Sequence, residues 1–144
     1  MQCLTNELPL GSTSSPFFIY PVFREDGYFT VLFQFQPPHH FFLALLDDYR
    51  LDQSRAQPLM AVATFNDLSE SKGLMLVRCD IINRGIQDGK AIKICWGILE
   101  GYVNDNDFRN VHVFNKAPDA FDVDDNVSLN KQRLLCQGQW FYQR

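Results

Sequence analysis

The segment YFTVLFQFQ, Tyr28 to Gln36, alternates without a break: Phe29, Val31, Phe33 and Phe35 are separated by Thr30, Leu32, Gln34 and Gln36. A period of two sends successive side chains to opposite sides of an extended chain, so this stretch is a strand with one strongly apolar face. Its ends are written just as plainly. Glu25-Asp26-Gly27 is turn chemistry, because glycine accepts positive φ without steric cost. Pro37-Pro38 stops the strand, since neither proline has an N–H to give to a ladder. A chain built around such a strand needs neighbouring strands and a layer to cover the phenylalanines.

The neighbours can be read on either side. FFIYPVF at 17–23 is a short extended piece interrupted by Pro21. FFLALLDDY at 41–49 is apolar at odd and even positions until Asp47, which fits a strand covered on both sides or a buried helix; periodicity does not choose. PLMAVATF at 58–65 favours strand at its end, NDLSESKG at 66–73 is a turn, and LMLVRCDII at 74–82 is another strand. Connections this short imply mostly antiparallel pairing.

After Gly89 the pattern changes. At 100° per residue, 91–103 gathers Ile92, Cys95, Trp96, Leu99 and Val103 on one side, opposite Lys90, Lys93, Gly97, Glu100 and Gly101. The spacing predicts a helix, although each interior glycine costs about 1 kcal/mol against alanine. FRNVHVFN at 108–115 reads as a strand. Pro118 suits the first turn of a last helix, with Asp119, Asp122, Asp124 and Asp125 early, Lys131 and Arg133 late, and a narrow stripe of Val123, Val127 and Leu134. The expected architecture is α+β, a mostly antiparallel β-sheet with two helices packed on one face. A flexible leader at 1–15, a single domain at 16–135 and a C-terminal tail at 136–144 complete the organisation.

Composition narrows the partners. The 144 residues are 46% hydrophobic with a net charge of −4, and no concentrated basic patch calls for nucleic acid or an anionic membrane. The longest apolar run, Phe41 to Leu46, is far short of the ~20 residues of a membrane span. Cys3, Cys79, Cys95 and Cys136 have no metal-site spacing and read as free thiols in a reducing compartment. The first sixteen residues carry no arginine and no continuous apolar stretch, so they read as neither a secretory signal nor a mitochondrial presequence.

Reactive constellations are weak. Cys79, His112 and Asp80 can be assembled into a nucleophile, base and acid, but no spacing singles them out. His39 and His40 follow two prolines at a turn. DVDDN at 122–126 fails as a calcium loop because Val127 and Arg133 stand where the glycine and the bidentate glutamate belong. Asp47 and Asp48, as neighbours on a strand, point apart. No glycine-rich phosphate loop is present, so no cofactor is expected. Apolar side chains dominate instead: if helices cover the Phe29 side of the sheet, the opposite side carries Tyr28 and Leu32, and some rings are left to form a protein-binding patch.

Three stretches, taken in order, resemble a known family. PFFIYPVFREDGYF resembles a Pro/Phe-rich strand leading through an acidic-Gly turn into an aromatic strand. FNDLSESKGLMLVRCD resembles a turn entering an apolar strand that ends in Asp, and VFNKAPDAFD a strand, an Phe-Asn pair and a proline opening the last helix. Their order and spacing are similar to the C-terminal core of the mitochondrial ATP synthase assembly factor family, the chaperone of the F(1)-ATPase β subunit, over roughly residues 16–133.

The resemblance implies a non-enzymatic chaperone. It would bind the unassembled β subunit in the mitochondrial matrix and prevent its aggregation, without cofactor or nucleotide hydrolysis. The family's presequence and helical N-terminal region have no counterpart here, which suggests a shortened chain. Places on strands, rather than the resemblance, nominate Tyr28, Leu32, Phe41, Phe42 and Phe114 for the client contact. Two other readings remain: a small cofactor-free enzyme with a cleft near His112 and Cys79, and a stable structural subunit of a larger assembly.

Overall fold

The computed structural model describes residues 14–83 and 86–140, with side chains described through Arg133. Its centre is a five-stranded sheet in the order β1-β2-β3-β4-β5, every neighbouring pair antiparallel. The strands are β1 (Phe17–Arg24), β2 (Gly27–Gln36), β3 (His40–Leu45), β4 (Met60–Phe65) and β5 (Leu76–Ile81). The alternating segment is β2, and the turn before it joins β1 to β2 with Gly27 at φ 148°. The ambiguous run after the prolines divides: β3 is a strand, and α1 (Leu46–Leu51) begins where the first acidic side chains appear. A single turn of helix, α2 (Ser69–Lys72), lies inside the expected 66–73 turn and ends on Gly73 at φ 63°.

Three longer helices follow: α3 (Asp88–Val103), α4 (Asp105–Lys116) and α5 (Val123–Trp140), with a 3-10 turn at Pro118–Ala120 between the last two. The α+β class is as expected, with more helices than two. FRNVHVFN corrects the reading above: it is the body of α4, not a strand. The local alternation of Val111, His112, Val113 and Phe114 is too short to overrule the signals around it. Asn104 caps the helix by accepting from the Asn106 N–H at 3.0 Å, Asp105 and Asp107 occupy the first turn, and Lys116 the last.

The helix at 91–103 is present, but its buried side is rotated from the expected one. Ala91, Ile94, Cys95, Ile98, Leu99 and Tyr102 face the sheet, whereas Ile92 is 56% exposed. Gly97, expected among the solvent-facing residues, lies against Tyr20 of β1, where a Cβ would fall on the phenol ring. The glycine that weakens the helix locally is the one that lets the sheet approach it.

α3 packs against β1 and β5, while α4 and α5 pack against β1. They cover the sheet side that carries Phe18, Val31, Phe33, Phe35, Phe41, Leu43, Met60 and Val62. Phe33 meets both Phe41 and Tyr102 edge-on, and those two are tilted against each other, with centroids 5.5–6.2 Å apart. The Tyr102 hydroxyl donates to the Ser15 carbonyl at 2.7 Å, which satisfies the one polar group this cluster buries on its side of the helix. Leu134, Cys136 and Trp140 have side chains outside the described residues, as does Cys3 altogether.

Candidate functional site

Strand alternation and the pairing register sort every strand side chain to one side or the other. On the helix side lie Phe29, Val31, Phe33 and Phe35 of β2 and, across from them, Leu45, Leu43 and Phe41 of β3. On the second side lie Tyr28, Thr30, Leu32, Gln34 and Gln36 of β2, then His40, Phe42 and Ala44 of β3. β1 adds Phe17, Ile19, Pro21 and Phe23 to that side; Ala61, Ala63 and Phe65 of β4 and Leu76, Arg78 and Asp80 of β5 complete it.

The second side is graded. Ile19 and Leu32 are buried at its middle, apart from the main core cluster. Around them Phe17, Phe23, Phe42 and Leu76 are half-buried, and Tyr28 and Phe65 are 49% and 38% exposed. Several of these rings are held at defined angles. Phe23 sits 5.8 Å from Tyr28, His40 stacks on Phe42 at 6.2 Å, and the Arg78 guanidinium lies 5.7 Å from the Phe65 ring centre. Arg78 also donates to the Asp80 carboxylate at 2.9 Å, leaving a charged, hydrogen-bonded border beside the aromatic area. An apolar centre within a polar rim is the composition of a protein-binding surface.

The five nominated residues are not brought to one place. Tyr28, Leu32 and Phe42 share the second side, Tyr28 exposed, Phe42 half-buried and Leu32 covered. Phe41 is fully buried on the helix side. Phe114 belongs to α4, where it meets Phe18 at 5.7 Å and Phe121 at 5.1 Å, each edge to face. The aromatic residues Phe17, Phe23 and Phe65 join the second side through the register. Phe65 is the last residue of β4, and its pairing with Leu76 puts it on the second side.

Asn115, beside Phe114, explains why the Phe-Asn pair stands where it does. Its amide oxygen accepts from the Phe17 N–H at 3.0 Å, and its amide nitrogen donates to the Phe17 carbonyl at 2.5 Å and the Val111 carbonyl at 2.7 Å. One side chain thus pairs with both backbone groups at the start of the edge strand β1, as a neighbouring strand would. Asp122 then accepts from the Asp125 N–H at 3.0 Å, which closes the entry to α5. Two of the three family-like stretches therefore meet in space, and what they do there is structural.

Electrostatics at the helix layer centre on Arg133 of α5, which pairs with the buried Asp107 of α4. Burial holds the Glu100 carboxyl above the usual glutamate range, opposed by the charge of Arg133 and reinforced by Asp107. The Tyr20 hydroxyl is likewise raised by burial, then by Glu100.

The elements of the conceivable catalytic set lie apart. His112 is exposed on α4, which packs against β1, whereas Cys79 is on β5 at the other edge of the sheet; Asp80 points away from Cys79 to the second side and pairs with Arg78. A cleft of about 490 Å³ runs between α4 and α5, lined by Asn110, Phe121, Asp125 and Asn126 among others, and none of His112, Cys79 or Asp80 borders it. Among the described residues no group of three His, Cys, Asp or Glu side chains is placed to hold a metal ion. None of the described helices is long and apolar enough to cross a membrane.

The family model described as ATP11 protein matches residues 7–127, most of the chain and all five strands. Comparison with curated protein sequences gives no significant match. The matched family acts in ATP synthase assembly, a chaperone rather than an enzyme family, and so implies a mitochondrial location and a protein partner. On the strength of that match the chain belongs to the ATP11 family of ATP synthase assembly factors.

Proposed function

We propose that the protein binds the unassembled catalytic β subunit of the F1-ATPase in the mitochondrial matrix and keeps it from aggregating until α subunits replace it. The observation that carries this reading is the inequality of the two sides of the sheet. One is sealed by α3, α4 and α5, and the other presents Tyr28, Phe42 and Phe65 beside a polar border of Gln34, Gln36, His40, Arg78 and Asp80.

An isolated β subunit exposes apolar surface that α covers in the assembled head. A rigid sheet face suits such a client, because its rings are already fixed in rotamer and lose little freedom on contact. Release needs no chemical step: α displaces the chaperone if it buries more of the same surface. Within the proposed face Tyr28 and Phe42 make direct contact and Leu32 backs them. Phe41 and Phe114 act from behind, by holding β2, β3 and β1 against the helices.

The test is suppression of light scattering by isolated β subunit when this protein is added without nucleotide. Stoichiometric suppression is the expected result. Unchanged aggregation at large excess would end the proposal. Hydrolysis of ATP by the mixture, dependent on this chain, would equally contradict a contact-only mechanism.

A further inference from the structure

Cys79 and Cys95 are the free cysteines of the described region, and the fold brings them together from two different elements. On β5, Cys79 alternates with Val77 and Ile81, so it faces the helix layer, and all three pack against the main core. Cys95 is on the buried side of α3, only 6% exposed, and α3 is the helix that packs on β5. The two thiols lie near enough for each to shift the titration of the other. The two thiols are also unequal. Cys79 is half-buried and reachable, and the neighbouring Cys95 thiol favours its thiolate; Cys95 is enclosed, and Cys79 together with burial keeps its proton on.

We infer that Cys79 and Cys95 form a reversible dithiol–disulfide site that staples the edge strand β5 to α3. The oxidant is a small-molecule disulfide such as oxidised glutathione. The Cys79 thiolate attacks one sulfur of the oxidant, forming a mixed disulfide and expelling one thiolate. The Cys95 sulfur, losing its proton, then attacks the Cys79 sulfur and expels the second. The protein gives up two electrons and two protons, and the oxidant leaves as two thiols. A half-buried, reachable attacking thiol beside a buried resolving one is the division of labour such exchange requires. In a reducing compartment the resting form is the dithiol, and the site records oxidation. This inference stands independently of the client reading.

The experiment treats the full chain with oxidised glutathione, blocks remaining thiols with an alkylating agent, and maps the peptides by mass. A peptide pair joining Cys79 to Cys95 is expected, with the loss of two hydrogens from the intact mass. Closing a loop of about 15 residues should raise the melting temperature on the order of 5–10 °C, and dithiothreitol should reverse it. Cys95→Ser should stop at a glutathione adduct on Cys79, while Cys79→Ser should leave Cys95 unmodified. A wild-type product that stays as the Cys79 adduct would overturn the inference. So would crosslinks that run instead to Cys3 or Cys136, or two thiols that both remain reduced. If either variant fails to fold, the wild-type peptide map decides alone.

Discussion

Both sides of the sheet carry aromatic rings, but one is chiefly apolar and roofed by helices, whereas the other sets its rings beside polar and charged neighbours. Phe33, Phe41, Leu43 and Val62 on the helix side are each at most 1% exposed. Tyr28 and Phe65 on the second side are 49% and 38% exposed and Phe42 is half-buried, although all three stand on the same strands as those residues. Strand alternation therefore acts as a sorter: one set of rings holds the fold together, and the adjacent set is available for contact. The lesson is that phenylalanine content says little about exposure until the register is known.

The largest effect expected from breaking this division is on the helix side. Phe41→Ala should destabilise the fold by about 3–5 kcal/mol, because the ring is fully buried and touches Phe33, Phe35 and Tyr102. Denaturant titration measures this, and any loss of client binding should track the unfolded fraction. Next comes the clasp on β1. Asn115→Ala strips the Phe17 N–H and carbonyl of their partners and should cost about 1–3 kcal/mol. Hydrogen exchange should then show faster opening at the start of β1 than in β3.

A smaller, pH-dependent effect belongs to Glu100. The folded protein keeps this carboxyl protonated to a higher pH than the unfolded chain does. The unfolded state therefore binds fewer protons through that window, and stability falls as pH rises from the ordinary glutamate range through the raised value. Glu100→Gln should flatten this portion of the stability–pH curve, read as melting temperature against pH; an unaltered slope would remove the buried-carboxyl account. The smallest effect sharpens the contrast from outside. Ile92→Ser lies on the outer side of α3, exposed and away from the second face, and should change stability by less than about 0.5 kcal/mol. It should also leave the affinity for β subunit where it was.

What could be read from the sequence was whatever repeats at short range. Phe29, Val31, Phe33 and Phe35 declared both the strand and its buried side, and Gly27 and Pro37 its limits. Partner geometry was silent. Nothing in the sequence tells that α3 turns Ala91 and Ile94 inward in place of Ile92, since the close approach of Gly97 to Tyr20 exists only once the helix packs on the sheet. α4 reads as a strand because four residues, Val111 to Phe114, imitate alternation, whereas its cap and charge order span the whole helix. Of the residues nominated for contact, Tyr28 and Leu32 fall on the second side as alternation requires. Phe41 and Phe42 needed the β2–β3 register to be separated, and the meeting of Cys79 with Cys95 needed the packing of α3 on β5.

The central claim is that the second face makes the client contact, and a binding measurement on one double variant tests it most directly. Tyr28→Thr with Phe42→Thr keeps strand propensity and removes two rings. The account predicts a fall in affinity for isolated β subunit of at least about tenfold, equivalent to ~1.4 kcal/mol, with the melting temperature lowered by no more than about 5 °C. Undiminished affinity in a folded double variant would contradict it.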